Sequence, residues 1–285
     1  KLIKMVGMVS SSYYRQPSFG KKGLQASVFT SHITKGDVAQ SEVIDAIKLI
    51  LSHEFIDCGY RLMTQYLQRA GYIINHKKVY RIMREAGLLK LERRINRSGS
   101  GRKFVQYRKV NTSRPMECLE MDIKMVWIPD VGKNAYLLSV IDVHTRMILK
   151  DYFSFNIKQA QVINLLSDLF EEYNYPENVV VRSDNGSQFI AKNVREYLSV
   201  IGVDQEFTHV ATPEENAHIE AYHGILKKEV FERFDYRNFG QIQQILKRYV
   251  VFYNTERLHG LLGRITPLEK WNAEKHRINI KNLTA

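Results

Sequence analysis

Three acidic residues have the types and positions that metal-assisted phosphate chemistry requires. Asp122 interrupts an apolar run, Asp184 closely follows the apolar residues 179–181, and Glu220 lies in a later segment with helical spacing. Mg²⁺ prefers carboxylate oxygens, and a pair of such ions can activate an attacking oxygen and stabilise a departing one in phosphoryl transfer. The residue types therefore indicate divalent-metal chemistry on a phosphodiester, provided that the fold brings the three carboxylates together.

Each of these acids also has a purely structural interpretation. Asp184 precedes an Asn-Gly turn signal and fits a turn residue, and Glu220 fits a surface acid of a helix. Asp142 ends another apolar run and is an alternative to Asp122. Spacing alone does not decide whether Asp184 and Glu220 are catalytic or structural. It also does not decide between Asp122 and Asp142.

The elements that must position these acids follow Pro115. Strand-like runs span 116–127, 135–143 and 147–155, followed by a helix over 157–173, a strand at 179–181, a helix near 194–201 and a strand at 205–209. Three strands followed by alternating helices and strands predict an α/β domain with a mixed sheet. Asp184 would then lie at the carboxyl end of a strand, where open α/β sheets bind ligands.

A further helix, predicted over 216–231, carries Glu220. An apolar row at helical spacing consists of Ala217, Ala221 and Ile225. A separate polar row consists of Asn216, Glu220, His223 and Lys227. Because residues at this spacing share a helix face, an acid and a base are predicted to lie two turns apart on one side.

The charge of the chain points to an anionic partner. Lys and Arg total 42 against 30 Asp and Glu, which gives a formal charge of +12 and a pI near 9.5, and almost the whole excess lies in residues 59–109. A basic block this dense favours nucleic acid over a merely solvated face.

Cys58 and Cys118 lack a CxxC partner, which excludes cysteine-based zinc modules. The absence of a long apolar run and of a signal peptide predicts a soluble, cytoplasmic protein.

The region before residue 98 is predicted to be a helix-turn-helix domain. A helix begins at Ser41, a second spans 60–69, and a third runs from an Asn75 cap to Gly87. The second helix of such a unit normally enters the major groove, although any small helical bundle shows the same periodicity. Basic residues of this domain that are predicted to contact DNA are Arg61, Lys77, Lys78, Arg81 and Arg84.

The sequence Ser-Gly-Ser-Gly at 98–101 is the clearest linker in the chain. Predicted DNA contacts beside it are Arg93, Arg94, Arg102 and Lys103. The predicted divisions are a basic arm at 1–40, a helix-turn-helix domain at 41–97, a basic linker at 98–114, a catalytic core at 115–275 and a tail at 276–285.

The motif spacing resembles that of DDE integrases and transposases. Thirty-five residues separate Asp184 from Glu220, the motif Ser-Asp-Asn-Gly-Ser-Gln-Phe spans 183–189, and Lys227 follows Glu220 by seven positions. With Asp122, these motifs resemble the signature of retroviral-type integrases and of bacterial insertion-sequence transposases made from two overlapping reading frames. The chain is similar to the second-frame product of that type. Residues 60–88 resemble its helix-turn-helix segment, and residues 253–259 and 266–269 resemble its C-terminal signature.

The resemblance implies a ribonuclease-H-like core in which Asp122, Asp184 and Glu220 hold two Mg²⁺ ions, with Mn²⁺ as a substitute. It places Asp142 on the second strand, outside the triad. Residues of these motifs expected to contact DNA are Asn185, His223 and Lys227.

The implied activity is cleavage of one DNA strand at an inverted-repeat end and joining of the freed 3′-hydroxyl to another phosphodiester. The implied partners are double-stranded DNA, as element end and as target, and at least one further copy of the chain in a synaptic complex. Two alternatives remain open on the sequence: a metal-dependent nuclease of the same fold that only hydrolyses, and a helix-turn-helix DNA binder whose core is structural.

Overall fold

The computed structural model describes residues 27–89, 110–209 and 213–279. The predicted linker at 98–101 lies outside these ranges, as do the four basic residues Arg93, Arg94, Arg102 and Lys103. In the described part of the chain, no helix is long and apolar enough to cross a membrane.

The N-terminal domain combines three helices with a small antiparallel sheet of order β2-β1-β3. Gly71, before β3, has a φ of 97°, and a Cβ there would lie 2.8 Å from the His32 ring, so glycine allows β1 to pack beside this turn. The elements are β1 (Phe29–His32), β2 (Gly36–Ala39), α1 (Gln40–Leu51), α2 (Tyr60–Arg69), β3 (Tyr72–Ile73) and α3 (His76–Glu85).

The hairpin of β1 and β2 lies within the basic arm predicted over 1–40, where no strands were predicted. Each of its strands has four residues, which give too few alternations for a period to be recognised. The start of α1 also differs, because its N-cap is Ala39, whose side chain makes no capping bond, and not Ser41. The hairpin therefore leads directly into α1.

Helix α3 has the predicted start and the predicted buried stripe. The Asn75 side chain caps it by accepting a hydrogen bond from the Lys78 backbone N–H at 2.9 Å. Val79, Ile82 and Met83 are fully buried. Because these positions recur at i, i+3 and i+4, a single apolar face docks α3 and leaves the opposite face to solvent.

The C-terminal domain is built on a mixed sheet of order β6-β5-β4-β7-β8, which confirms the predicted α/β class. β4 pairs antiparallel with β5 and parallel with β7, and β8 continues the parallel half. The strands are β4 (Cys118–Ile128), β5 (Lys133–Asp142), β6 (Ile148–Ser154), β7 (Val180–Ser183) and β8 (Asp204–Phe207). The helices are α4 (Gln159–Glu172), α5 (Ser187–Ile190), α6 (Lys192–Val200), α7 (Ala217–Leu226), α8 (Phe239–Thr255) and α9 (Pro267–Glu274).

Helices cover both faces of this sheet. Leu166 of α4 and Leu198 of α6 pack in one buried cluster with Met121 of β4. Tyr222 of α7 belongs to a second cluster with Val126, which alternates with Met121 along β4. The sheet is thus held between two apolar layers.

The second cluster continues from the core into the N-terminal domain. Phe55 lies 5.3 Å from Tyr249 and 5.4 Å from Phe252 of α8, measured between ring centroids. Arg69 of α2 donates to Glu269 of α9 at 2.9 Å. Both apolar packing and polar contacts therefore join the two domains.

Helix α7 buries a different face from the predicted apolar row. Ala217 and Ala221 are exposed, whereas Ile219, Tyr222 and Leu226 are fully buried. A turn of π-helix (Lys227–Phe231) continues α7 towards α8. The apolar row of Ala217, Ala221 and Ile225 is therefore corrected to Ile219, Tyr222 and Leu226, which pack against the sheet.

Candidate active site and nucleic-acid interface

Asp122 lies on β4, and Asp184 immediately follows the adjacent parallel strand β7. The last registered pair of β4 and β7 is Glu120 with Arg182, and each aspartate comes two residues later in its chain. Neighbouring strands lie about 4.8 Å apart, so the two backbones are close at this edge. The strand pairing therefore brings the backbones of these two predicted residues near each other.

A tight turn fixes the segment that carries Asp184. Its Oδ1 accepts a hydrogen bond from the Gly186 N–H at 2.9 Å. A Cβ on Gly186 would lie 3.0 Å from that same oxygen and would also collide with the Gln188 side chain. Because the carboxylate is exposed and the loop beneath it is constrained, Asp184 is presented to solvent in a defined position.

Glu120 of β4 positions α7, and the sequence did not identify it. This carboxylate is fully buried, and its Oε2 accepts the backbone N–H groups of His218 and Ile219, each at 2.9 Å. Its Oε1 lies 2.7 Å from the His218 Nδ1. An acid is favourable here because free N–H groups and the positive end of the helix dipole face it. Glu120 thereby holds the start of the helix that carries Glu220.

His223 is placed by the structure beside Asp122. Its Nδ1 lies 3.2 Å from the Asp122 Oδ2, and only 4% of the residue is exposed. The expected DNA contact of His223 stays a prediction, and the ring exposes little surface for it. Because residues three apart on a helix share a face, Glu220, one turn earlier and exposed, lies towards the same edge as Asp122.

Asp122, Asp184 and Glu220 do not form a closely grouped metal site among the residues that the structure describes. Across 27–89, 110–209 and 213–279, no three His, Cys, Asp or Glu side chains are grouped closely enough to hold a metal. Mg²⁺ is usually held by one or two carboxylates together with water and substrate phosphate. An open set of oxygen donors at the end of the sheet is compatible with that mode of binding.

Asp142, the alternative to Asp122, has a structural role. It is fully buried and accepts hydrogen bonds from the backbone N–H of Met116 at 2.9 Å and of Thr145 at 2.8 Å. The Thr145 hydroxyl donates a third, at 2.6 Å. Burial raises the pKa of this carboxyl, and these bonds oppose the shift. Asp142 thus fixes the turn between β5 and β6.

The five predicted basic contacts of the N-terminal domain divide into two groups. Lys78 donates to the Phe29 carbonyl, and Arg81 donates to the Ser27 carbonyl at 2.7 Å. These two side chains hold the hairpin against α3, and their predicted contact with DNA stays a prediction. The group that is exposed consists of Arg61, Lys77 and Arg84.

Aromatic rings lie among the exposed basic side chains. The Arg84 guanidinium lies 5.9 Å from the Tyr80 ring, and the Arg61 guanidinium lies at the same distance from the Tyr60 ring. The two tyrosine rings meet edge to face at 5.1 Å. This surface combines positive charge with aromatic area, which suits contact with a nucleic-acid backbone.

Two further predicted DNA contacts lie near the catalytic edge. Lys227 is 61% exposed and has Glu232 at 4.0 Å. Asn185 is exposed and donates to the Thr208 carbonyl at 2.8 Å. Both side chains are therefore accessible to solvent.

Comparison with known families matches both domains. A family model described as an HTH-like domain covers residues 39–95, and two models described as the integrase core domain cover 112–213 and 201–267. The fold is similar to the intasome of simian T-cell lymphotropic virus in complex with PP2A regulatory subunit B56 gamma, with a TM-score of 0.50 at 12% identity, over 78% of this chain and 73% of that chain. The fold and the acidic edge define an integrase-type polynucleotidyl transferase core.

Relatives in insertion elements give the family. A putative transposase InsK for insertion sequence element IS150 of Escherichia coli is 30% identical over 226 residues, which are 75% of this chain and 77% of the relative. An uncharacterized 31.7 kDa protein of insertion element IS407 of Burkholderia multivorans is 28% identical over 255 residues, which are 90% and 88%. This chain belongs to the insertion-sequence transposases, enzymes that cleave DNA and transfer strands during transposition.

Proposed function

We propose that Asp122, Asp184 and Glu220 are the catalytic carboxylates of this transposase. The observation that carries the proposal is the position of the two aspartates, each two residues beyond the paired Glu120 and Arg182 on adjacent parallel strands. α7 supplies the third acid to the same edge. The reaction is hydrolysis of a phosphodiester at an inverted-repeat end, which frees a 3′-hydroxyl, followed by attack of that hydroxyl on another phosphodiester, which releases the 3′-hydroxyl of the broken strand.

The donor atoms of this site fit a hard divalent cation. The integrase-core family depends on divalent metal. We infer that Asp122, Asp184 and Glu220 hold Mg²⁺, with two ions per site and Mn²⁺ as a substitute, because all three donors are carboxylates. When bound, such ions activate the attacking oxygen and stabilise the departing one.

The surrounding residues keep these donors in place. Glu120 anchors the start of α7 and so fixes the position of the helix that carries Glu220. The Asp122 carboxylate is held at both oxygens, since Oδ1 accepts from the Ile123 N–H at 2.7 Å and Oδ2 faces His223. These contacts limit the rotation of the Asp122 side chain, so less order has to be created when substrate binds.

The two domains divide the work of binding and reaction in this proposal. DNA binding follows from the HTH-like domain and the family. We infer that Arg61, Lys77 and Arg84 contact the inverted-repeat end, while Lys227 and Asn185 contact phosphates next to the reacting bond. Transfer between two ends and a target requires two active sites, so the working form is at least a dimer.

A joining assay tests the proposal. A labelled, pre-cleaved end duplex with a free 3′-hydroxyl is incubated with a target plasmid and Mg²⁺ or Mn²⁺. We expect joined product from the wild-type chain and none from Asp184→Asn, while binding to the end duplex persists. Asp204→Asn, which removes an exposed acid at the start of β8, is the matched control and should join normally.

Two outcomes would contradict the proposal. Hydrolysis without any joined product, under both metals, would favour the nuclease alternative. Unchanged joining in Asp184→Asn would exclude this carboxylate from the reaction.

A further inference from the structure

Strand β4 continues beyond Asp122 with one edge unpaired. Its pairing with β7 ends at Glu120, opposite Arg182, whereas its pairing with β5 continues as far as Ile128. In the described part of the chain, no further strand pairs with residues 122–128 on the β7 side. This segment therefore borders the side of the sheet on which the chain leaves β7 towards Asp184, and a DNA strand that reaches Asp122 has access to it.

Lys124 is the next residue of this segment on the face that carries Asp122. Side chains of a strand alternate between the two faces, and Glu120 and Asp122 both contact α7. Lys124 follows them in the same row, about 6.6 Å further along the strand. The residues on the opposite face, Met125 and Trp127, are 62% and 54% exposed. Lys124 therefore extends the row of side chains that begins with the two acids.

Helix α7 runs in the same direction as β4 and brings Lys227 to the level of Lys124. Glu120 bonds to the first turn of α7, and Asp122, two residues later, lies 3.2 Å from His223. Two strand residues span about 6.6 Å, which is the rise of about four to five helical residues. Continued at the same rate, the level of Lys124 on β4 corresponds to about residue 227 on α7. The two lysines therefore flank the same part of the site.

The fold does not use the charge of Lys124. Among the residues that the structure describes, no carboxylate lies within 4.0 Å of its ammonium group and no hydrogen bond engages it. The carboxylate of Asp122 is occupied elsewhere, by the Ile123 N–H and by His223. Lys124 is nevertheless half-buried. A half-buried cation with this freedom is available to an anionic ligand, and lysine binds phosphate as a point charge.

Cations on the neighbouring strands have partners within the protein. On β7, Arg182 donates to Glu206 at 2.7 Å. On β6, the Lys150 ammonium lies 2.5 Å from Glu172. Lys124 differs from these two cations because its charge is left for a ligand.

The spacing along β4 indicates which phosphate Lys124 reaches. Neighbouring side chains on one face of a strand lie about 6.6 Å apart, and the nucleotides of one DNA strand rise about 3.4 Å each along the duplex axis. With the reacting phosphate at Asp122, Lys124 lies at the level of a phosphate about two nucleotides away. A contact of this kind positions the strand without reading its sequence.

We propose that Lys124 binds a non-bridging oxygen of one DNA phosphate within about two nucleotides of the reacting bond, at the level of Lys227. The inference rests on the proposed function, because that function places the reacting phosphate at Asp122. It adds to the site a cation that lies outside the basic block at 59–109 and outside the motifs of the three acids. Lys124 holds the DNA strand in position beside the carboxylates.

The test combines removal of a charge from the protein with removal of a charge from the DNA. Each of a set of end duplexes that continue into flanking DNA carries a single neutral methylphosphonate linkage, placed within about three nucleotides of the reacting bond. Affinity is measured by fluorescence anisotropy without divalent metal, so that the duplex stays intact.

The variants separate the charge of Lys124 from its bulk. Lys124→Gln and Lys124→Met remove the charge, and Lys124→Arg keeps it. Lys275→Gln is the matched control, because this exposed lysine follows α9 and lies near Asn279, whose carbonyl accepts the Glu177 N–H before the start of β7. That end of β7 is opposite the end that leads to Asp184. Thermal unfolding confirms that each variant is folded.

We expect the wild-type chain to lose about fivefold in affinity when the linkage that Lys124 contacts is neutralised. Lys124→Gln and Lys124→Met should lose about fivefold on the unmodified duplex, and their slope of log affinity against log salt should fall by about 1. Neutralising that same linkage should then cost these two variants less than about twofold, because the contact is already absent. Lys124→Arg and Lys275→Gln should keep the wild-type response at every linkage.

Two results would overturn the proposal. The first is the same pattern of losses across the linkages in the wild-type chain and in the folded neutral variants of Lys124, because the two charge removals would then be independent. The second is loss of the response in Lys275→Gln at the same linkage, because the effect would then not belong to Lys124.

The joining assay separates this inference from the proposed function. Asp184→Asn should lose joining and keep the wild-type response to the neutral linkages. Full joining by Asp184→Asn would refute the catalytic proposal and leave the measured contact of Lys124 standing. An unchanged linkage response in Lys124→Gln, with joining lost in Asp184→Asn, would refute the contact of Lys124 alone.

Discussion

Helices α3 and α7 both lie beside a proposed DNA surface, but different forces position them. α3 packs through one apolar stripe, Val79, Ile82 and Met83, and its charged residues point outward or support the neighbouring hairpin. α7 is docked by buried polar groups as well, with Glu120 at its start and Asp122 facing His223. A binding helix needs only an exposed face, whereas a catalytic helix must be fixed at particular atoms. Changes in the two helices should therefore fail in different ways.

The largest effect is expected at the catalytic edge. Asp122→Asn should reduce cleavage and joining by more than about 100-fold. Substitution of a residue that only hydrogen-bonds to a metal ligand already lowers metal affinity or activity by about 10–100-fold. Affinity for end DNA should change by less than about threefold, as measured by gel shift. Parallel loss of binding and joining would show that Asp122 supports the DNA-binding surface, and the contrast between the two helices would then fail.

The anchor of α7 should affect stability. Glu120→Ala leaves two buried helix N–H groups without an acceptor and should lower the free energy of unfolding by about 3 kcal/mol. Urea unfolding measures this loss. Glu120→Gln, which retains one acceptor oxygen, is the control and should lose less. Equal stability of Glu120→Ala and the wild-type chain would contradict the role of Glu120 as the anchor of α7.

The contact of His223 with Asp122 should affect rate more than binding. His223→Ala should lower the joining rate by about tenfold, a typical size for a residue that positions a metal-binding side chain. Its affinity for DNA should stay unchanged, because the ring is only 4% exposed. Lys227→Gln is the comparison and should weaken DNA binding. A loss of DNA affinity in His223→Ala as large as that in Lys227→Gln would show that His223 contacts DNA.

The exposed basic residues of α3 should differ from those bonded to the hairpin in how they change the salt dependence of DNA affinity. Lys77→Gln should reduce the slope of log affinity against log salt by about 1 and leave stability within about 0.5 kcal/mol. Arg81→Gln should instead destabilise the N-terminal domain by about 1 kcal/mol, because it loses its bond to the Ser27 carbonyl. Fluorescence anisotropy at several salt concentrations and thermal unfolding give the two quantities. The same slope change in both variants would show that the division into exposed and engaged residues is wrong.

The smallest effect is expected at the contact between the domains. Arg69 lowers the pKa of Glu269 to about 2, but both side chains are 42% exposed, so the pair should contribute less than about 1 kcal/mol. Because the pKa is depressed in the folded state, this contribution is present above about pH 4.5 and is lost as pH falls towards 2. Glu269→Gln, which preserves the capping box with Thr266, should differ from the wild-type chain in unfolding free energy only above that range. A difference that persists unchanged to pH 2 would contradict an electrostatic origin.

Features that depend on residues close in the sequence were predicted correctly, whereas features that depend on distant residues were not. The bounds of α2, the Asn75 cap and the buried stripe of α3 depend on residues within one or two turns, and local spacing predicted them. The hairpin of β1 and β2 was missed because its strands are short. The buried face of α7 was wrong because Ile219 and Tyr222 pack against strands whose residues lie about a hundred positions earlier in the chain.

The sequence by itself determined the α/β class, the helical basic domain and the family, since motif spacing and hydrophobic periodicity are properties of the chain. It also identified Asp122, Asp184 and Glu220 as candidates. Only the tertiary structure decided that Asp142 supports a turn, that His223 faces Asp122, and that the pairing of β4 with β7 ends before Lys124. The physical reason is that a side chain's role depends on which distant groups desolvate it and bond to it, and those neighbours are set by strand pairing and packing.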